Sequence, residues 1–297
     1  MPKTIVVTGC SSGFGHDVSR CLAQKGDRVY ATMRGTNGKN AKIAAELRDW
    51  ATAQSVELRV VEMDVTSDSS VDAAATKILA ESGAPDVVIN NAGQMYVGIA
   101  ECFSPDEVSA QLDVNVVGLH RVSRAFLPAM RKHGAGLIIN LSSVAGRAAV
   151  PFNAVYHASK WAVEGYSLAL RGELASSGVD VVVVEPGPFT TALFPSMRLP
   201  ADADGRSASY PAIVHETFAA MGGMFDGLFN DPDVPTDPSL VVDRLVELVN
   251  MPAGTRPFRS VVGVDLGVRA RNDAVEPFDT GLLEGAGLTS FATLKLR

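Results

Sequence analysis

The chain has 297 residues, enough for one large α/β domain or two small ones, and 46% of them are hydrophobic, an ordinary proportion for a protein with a substantial core. Lys and Arg number 26 against 33 Asp and Glu, a formal net charge of −7, with no basic run; this argues against a nucleic-acid partner held by phosphate neutralisation. Cys10, Cys21 and Cys102 fit neither a disulfide framework nor metal-ligand spacing, so reduced thiols and a cytoplasmic setting are expected. The start, Met1-Pro2-Lys3, runs directly into an apolar strand, so no signal peptide is expected. The densest apolar run, 179–184, is interrupted by Asp180 and is too short to span a bilayer, so no membrane partner is expected.

Short runs rich in Val, Ile and Leu alternate with longer amphipathic stretches. The expected strands are 4–8, 28–33, 57–62, 86–90, 136–141, 179–184 and 259–264. They are nearly continuous in apolar residues, as strands covered on both faces are. The expected helices are 13–25, 40–53, 68–81, 105–132, 156–177 and 238–250. Strand and helix in alternation imply right-handed crossovers and one doubly wound parallel α/β sheet of about seven strands, with helices on both faces. The chain is read as a single catalytic domain over 1–297. Residues 188–237, with six prolines and four glycines, form an insertion too long for an ordinary connection and suit a lid, with a short helix at 210–226. The extension 265–297 is Gly-rich and mixed in charge, and is expected to be irregular, with at most a short helix.

The first strand leads into Thr8-Gly9-Cys10-Ser11-Ser12-Gly13-Phe14-Gly15 and then a helix. A helix N-terminus offers unpaired N–H groups and a positive dipole end. A pyrophosphate can approach it only where no Cβ intervenes. The spacing Thr-Gly-x-x-x-Gly-x-Gly departs from the G-x-G-x-x-G fingerprint. Further along come Asn90-Asn91-Ala92-Gly93, Asn115, Ser142-Ser143, Tyr156-His157-Ala158-Ser159-Lys160, and Pro186-Gly187 followed by Thr191. In this order and spacing, over roughly residues 4–264, they resemble the short-chain dehydrogenase/reductase family, and within it the 17-beta-hydroxysteroid dehydrogenase-like members. The resemblance implies a Rossmann fold, a nicotinamide cofactor and hydride transfer between that cofactor and an alcohol/carbonyl pair.

Tyr156 and Lys160 lie four apart, on one face of a helix. A phenol with pKa near 10 is a poor acid–base catalyst at neutrality, and a neighbouring ammonium is expected to lower it. Ser143 ends a strand, thirteen residues before Tyr156; Ser142 would point to the other face. The resemblance assigns Ser143 to the reacting oxygen of the substrate and Tyr156 to proton transfer. It assigns Lys160 to the nicotinamide ribose as well as to the tyrosine. Asn115 is a poor mid-helix residue, and the family's equivalent distorts the helix and holds a water joining the lysine to solvent. The five histidines form no ligand set, and no metal is expected.

For the cofactor, the resemblance gives Gly9, Ser11, Ser12, Gly13, Phe14 and Gly15 in the loop, and Asp64 and Val65 at the adenine. It places Asn90, Ala92 and Gly93 behind the adenine ribose. Pro186, Gly187, Phe189 and Thr191 complete the cofactor set with Tyr156 and Lys160. NAD-preferring members carry Asp after the second strand. Here Arg34 stands there, placed to fork onto a 2′-phosphate, so NADP is expected, with NAD the alternative. Ser12 occupies a position that is basic in some NADP-dependent relatives. Two other functions stay open on this fold, a non-catalytic dinucleotide sensor and a dehydratase or epimerase.

The insertion carries many aromatic and Met side chains, among them Phe189, Phe194, Phe218, Met221 and Phe225, which suit an apolar secondary alcohol or ketone. Tyr96, Val97 and residues 148–155 are the other expected walls, and Arg147 the only nearby cation. Leu112, Val116, Leu119, Val122, Phe126, Trp161, Leu168 and Leu170 exceed what one sheet face needs, and a homodimer or homotetramer is expected.

Overall fold

The structure, a computed structural model, describes residues 2–295. Met1 and the last two residues of the C-terminal extension, Leu296 and Arg297, lie outside the described residues. The strands are β1 (Thr4–Val7), β2 (Arg28–Met33), β3 (Leu58–Glu62), β4 (Val87–Asn90), β5 (Gly136–Leu141), β6 (Val179–Pro186) and β7 (Arg259–Val262). They form one seven-stranded sheet in the order β3-β2-β1-β4-β5-β6-β7, and every pairing is parallel. The eight residues of β6 are all buried, which is why its apolar run shows no alternation.

The helices named so far in the chain are α1 (Gly13–Gln24), α2 (Ala41–Gln54), α3 (Asp68–Ser82), α4 (Pro105–Leu112), α5 (Gly118–His133) and α6 (Ala154–Leu174). After β6 come α7 (Ala203–Arg206), α8 (Ala212–Asn230), α9 (Ser239–Asn250) and α10 (Val268–Gly285). One core lies between the sheet and α1, α2 and α9, with Val18, Leu22, Leu47 and Leu245 at its centre. The other lies under α3, α5 and α6, with Ile78, Val122, Phe126 and Leu174. Local signals set the ends: Ser104 and Glu107 form a capping box with Pro105 in the first turn of α4, and Gly134 closes α5 at φ +80°.

Three expectations change. The single helix 105–132 is α4, a π-helical turn at Asp113–Val117, and α5. Asn115 sits in that turn and draws its side chain into bonds with the loop after β4. The helix at 210–226 is longer, running over the nineteen residues of α8. The tail is not irregular: α10 covers eighteen residues, despite Pro277 inside it, because Val268 and Asn272 are buried against the body. Among the described residues, no helix is long and apolar enough to cross a membrane.

Candidate active site

The strand order reverses between β1 and β4, and the C-terminal ends of these neighbours open a cleft. A cavity of about 440 Å³ occupies it. Thr8 builds the floor: its Oγ1 accepts from the N–H groups of Asn91 and Ala92, both at 3.0 Å, and Asn91 Nδ2 donates to the Thr8 carbonyl at 2.8 Å. Gly9 has φ +73°, and a Cβ there would stand 2.8 Å from Ala92 Cα; one on Gly15 would stand 2.3 Å from Asn91 Nδ2. These two glycines are therefore demanded by the seam between β1 and β4 rather than by a ligand. Gly9 and Gly13 both line the cleft, and Gly13 has no backbone crowding its missing Cβ. No side chain caps α1 at Ser12, so its first-turn N–H groups point toward the cleft beside Ser11, Ser12, Gly13 and Phe14. Cys10 turns away, fully buried.

Arg34, Asp64 and Val65 line one end of the cleft. Burial disfavours the Asp64 carboxylate, but bonds from Thr66 N–H and Oγ1 and the charges of Arg34 and Lys39 outweigh it and hold the group below its usual pKa. Lys39 is a second cation on this rim that sequence reasoning missed. Partial burial first, then the Arg34 charge, lower its pKa. Glu62 fixes the connecting turn, accepting from Gly35 N–H and Thr36 N–H at 2.6 Å each.

Ser143, Tyr156 and Lys160 line the other end. Ser143 Oγ donates to the Pro186 carbonyl at 3.2 Å and accepts from Ala145 N–H at 3.1 Å. Lys160 Nζ donates to the Leu141 carbonyl at 2.8 Å and stands 5.8 Å from the centre of the Tyr156 ring. Burial pushes the Tyr156 phenol up to about 12, with the nearby Ser143 hydroxyl opposing it. Burial brings the Lys160 ammonium down to about 8, against the pull of Glu164. The expected lowering of the phenol by the lysine is thus not found: desolvation dominates at this distance, and the tyrosine is a protonated phenol at neutral pH. His157 holds the loop before α6, with Nδ1 bonded to the Ala145 carbonyl at 2.8 Å and Nε2 accepting from Val150 N–H at 3.0 Å. The same loop turns at Phe152, a non-glycine at φ +67° whose ring meets Phe218 of α8 at 5.1 Å.

Ala92, Gly93, Pro186, Gly187, Phe189 and Thr191 also line the cleft, while Gly15, Asn90 and Asn115 lie behind it. Asn90 ties the sheet together, donating from Nδ2 to Asn140 Oδ1 at 2.8 Å and to Ser123 Oγ at 3.2 Å. Asn115 accepts from Gln94 N–H at 2.9 Å, and donates to the Gln94 carbonyl and to Ser159 Oγ, both at 3.0 Å. It thereby fastens the loop after β4 to α6, one residue from Lys160.

Residues 3–201 match the short chain dehydrogenase family. The chain belongs to this family. It is an NAD(P)-dependent oxidoreductase, and the sheet order and glycine loop above are the scaffold of that class. This short-chain dehydrogenase is 37% identical over 209 residues to a 3-ketodihydrosphingosine reductase of Bacteroides thetaiotaomicron, covering 70% of this chain and 72% of the relative. It is also 37% identical over 201 residues to human 17-beta-hydroxysteroid dehydrogenase type 1, covering 65% of this chain but 58% of that protein's length. A solved short-chain dehydrogenase from Streptomyces avermitilis superposes with a TM-score of 0.76 at 28% identity, covering 97% of both chains.

Beside Tyr156 the dehydrogenase packs Met95, Val97, Leu193, Phe194, Phe218 and Met221. Tyr96 is not a wall: it packs with Phe103 and Val155 on the far side, because neighbours in an extended segment point opposite ways. Arg147 is not available as an anchor either, since it is 8% exposed and its Nε donates to Asn272 Oδ1 at 2.8 Å. Of the insertion's apolar side chains, Phe189 is buried in the body, while Met197, Leu199 and Met224 face outward. Of the eight apolar residues expected for pairing, Leu119, Val122, Phe126 and Leu170 are buried within the chain, Leu112, Val116 and Leu168 are half-buried, and Trp161 is exposed.

Proposed function

We propose that this short-chain dehydrogenase moves a hydride between NADP(H) and the carbonyl or carbinol carbon of a mainly apolar ketone or secondary alcohol. One observation carries the reading: a buried tyrosine, a serine and a buried lysine meet at the end of a cleft whose middle is an uncapped helix N-terminus. The cleft fits a dinucleotide. Its α1 end suits a pyrophosphate, Gly13 leaves the approach open, and Arg34 with Lys39 suits a 2′-phosphate. The same residues support NADP over NAD. When bound, the nicotinamide supplies or receives the hydride.

The chain's own residues do the rest. Tyr156 donates its proton to the substrate oxygen as the carbonyl is reduced. Ser143 donates a hydrogen bond to the same oxygen, where negative charge develops. Lys160 presents an ammonium to the ribose side of the cleft and, being buried, is held in one position by Leu141. Gly9, Ser11, Ser12, Phe14, Ala92, Gly93, Pro186, Gly187, Phe189 and Thr191 shape the remaining cofactor surface, with Gly15, Asn90 and Asn115 supporting it from behind. Residues 188–237 act as the lid. Its inward Phe194, Phe218 and Met221, facing Met95 and Val97, favour an apolar substrate. The names of the two relatives, a ketone reductase and a hydroxysteroid dehydrogenase, point the same way.

Pairing of two copies is part of the proposal. It rests on a groove of about 410 Å³ between α5 and α6, lined by Leu127, Pro128, Tyr166 and Ala169 among charged neighbours. The decisive experiment for function measures kcat/KM with NADPH on a bulky apolar ketone and on a small 2-oxo acid. A preference for the apolar ketone is expected, and a clear preference for the charged acid refutes this view of the lid.

A further inference from the structure

Behind Lys160, on the side away from the cleft, the structure buries two carboxyl groups that the proposed chemistry does not use. Glu164 lies one turn after Lys160 on α6 and is 2% exposed; Glu185 lies at the end of β6, just before Pro186, and is 0% exposed. Their carboxyl groups share one arginine, Arg259, whose Nε lies within 4 Å of an oxygen of each. Each also leaves one oxygen, Oε1, with no donor among the described residues. Two carboxylates are acceptors only and cannot bond to each other, but one proton between them makes one group a donor and gives the other's oxygen a partner.

The surroundings are cationic on one side and amide on the other. Arg259 of β7 places Nε 3.1 Å from Glu164 Oε2 and 3.9 Å from Glu185 Oε1, and its Nη1 lies 3.7 Å from Asp279 of α10. Asn272 of α10 donates from Nδ2 to Glu185 Oε2 at 2.7 Å and accepts from Arg147 Nε at 2.8 Å. Arg147 belongs to the loop that follows Ser143. Arg147 and Arg271 of α10 both stack on Trp161, the neighbour of Lys160, at 6.0 and 5.1 Å from its ring centre. Lys160 is the remaining charge facing Glu164.

We propose that Glu164 and Glu185 form a buried acid–carboxylate pair holding one proton. Resting on the catalytic reading above, the pair positions Lys160 by facing it with a single negative charge, and it locks α10 to the Ser143 loop through Asn272 and Arg147. Glu185 is the protonated partner. Asn272 donates to its Oε2, so Oε1 carries the hydroxyl hydrogen toward Glu164, while Glu164 keeps the negative charge opposite Arg259 and Lys160. Burial, then the adjacent Glu164 charge, hold Glu185 well above the ordinary carboxylate range, in keeping with this assignment. Both glutamates are positioning residues: neither lines the cleft.

The test starts from a readout that needs neither substrate nor cofactor. Infrared spectra of the full chain at neutral pH should contain the carbonyl band of a buried carboxylic acid. The band should vanish in Glu185→Gln and persist in Asp279→Asn. Absence of the band in the wild type, or its survival in Glu185→Gln, overturns the pair. Thermal unfolding gives a second readout. A carboxyl held above its usual pKa in the folded chain stabilises it at low pH, and that contribution drains away as pH rises from the ordinary carboxylate range through neutrality. The wild-type Tm should therefore fall over this window more than that of Glu185→Gln, and equal slopes overturn the assignment. For Lys160, Glu164→Gln should move the alkaline limb of kcat/KM down by about one pH unit, since it removes the negative charge that favours the ammonium. A limb that stays in place or moves up overturns the link to Lys160. The infrared band is read without turnover, so failure of the pair and failure of the catalytic proposal give different patterns.

Discussion

Arg34 and Lys39 stand together on the rim of the cleft, next to Asp64, and their separate removal tests the proposed preference for NADPH over NADH. A charge-assisted hydrogen bond contributes about 1.5–3 kcal/mol. Arg34 is exposed, so solvent and salt screen it and the lower end applies, about tenfold in Kd for NADPH on Arg34→Ala. Lys39, also exposed and already repelled by Arg34, belongs with surface ion pairs worth roughly 0.2–1 kcal/mol, so Lys39→Ala should cost up to about fivefold. Both side chains would address one phosphate, so the double variant should fall short of the product of the single effects. NADH lacks that phosphate, and its Kd should change less than about twofold to threefold in any of the variants, within the reach of weak surface electrostatics. Cofactor fluorescence titration in low and high salt gives all these constants, and the NADPH advantage should shrink as salt rises. Equal wild-type affinities for NADH and NADPH, or equal losses for both in Arg34→Ala, would refute the reasoning.

Four other outcomes follow from the geometry. Tyr156→Phe should lower turnover at least about a hundredfold, the scale of a general acid–base contribution, with NADPH affinity nearly kept; normal turnover would remove Tyr156 from the mechanism. Ketone reduction should hold steady below pH 8 and decline above it, because burial brings Lys160 to about 8 and its ammonium is lost as pH rises through that value, whereas Tyr156, near 12, stays protonated. A rate that climbs between pH 8 and 9 contradicts this. Gly9→Ala should destabilise the chain by about 2–4 kcal/mol in urea unfolding, combining left-handed backbone strain with overpacking against Ala92, and a loss below about 1 kcal/mol would show that the seam yields. Light scattering at micromolar concentration should give a dimer or tetramer mass; a monomer mass would reject pairing through the α5/α6 groove.

Most strands were legible because they are short, dense apolar runs, and the glycine loop because its position between β1 and α1 is a local fact. Asn115 announced itself as a polar residue in the middle of a helix, although the π-helical turn around it left no mark in the periodicity. What could not be read depends on residues brought together by folding. Lys39 follows a Gly-Thr-Asn-Gly turn and looks like a loop lysine until Glu62 bends that turn back toward Arg34. Met95 rather than Tyr96 faces Tyr156 because of the parity of an extended segment that is not a sheet strand. The tyrosine–lysine spacing was plain, but the balance of burial against charge that leaves Tyr156 protonated was not. The apolar surplus on α5 and α6 was countable, but not which part the fold takes: Val122, Phe126 and Leu170 enter the core under those helices, whereas Trp161 stays exposed. In α10, Gly-rich ends and an internal proline hid a helix held by two buried side chains.

That last helix bears on how such enzymes diverge. The family match ends at residue 201, whereas Asn272, which grips both Glu185 and Arg147, lies far beyond it. If Ser143, Tyr156 and Lys160 form the proposed reacting end, the segment that braces them lies outside the matched family region. An inhibitor wedged at the join between α10 and the Ser143 loop would act on a surface that the shared chemistry does not constrain, and it could discriminate among enzymes that a cofactor mimic treats alike.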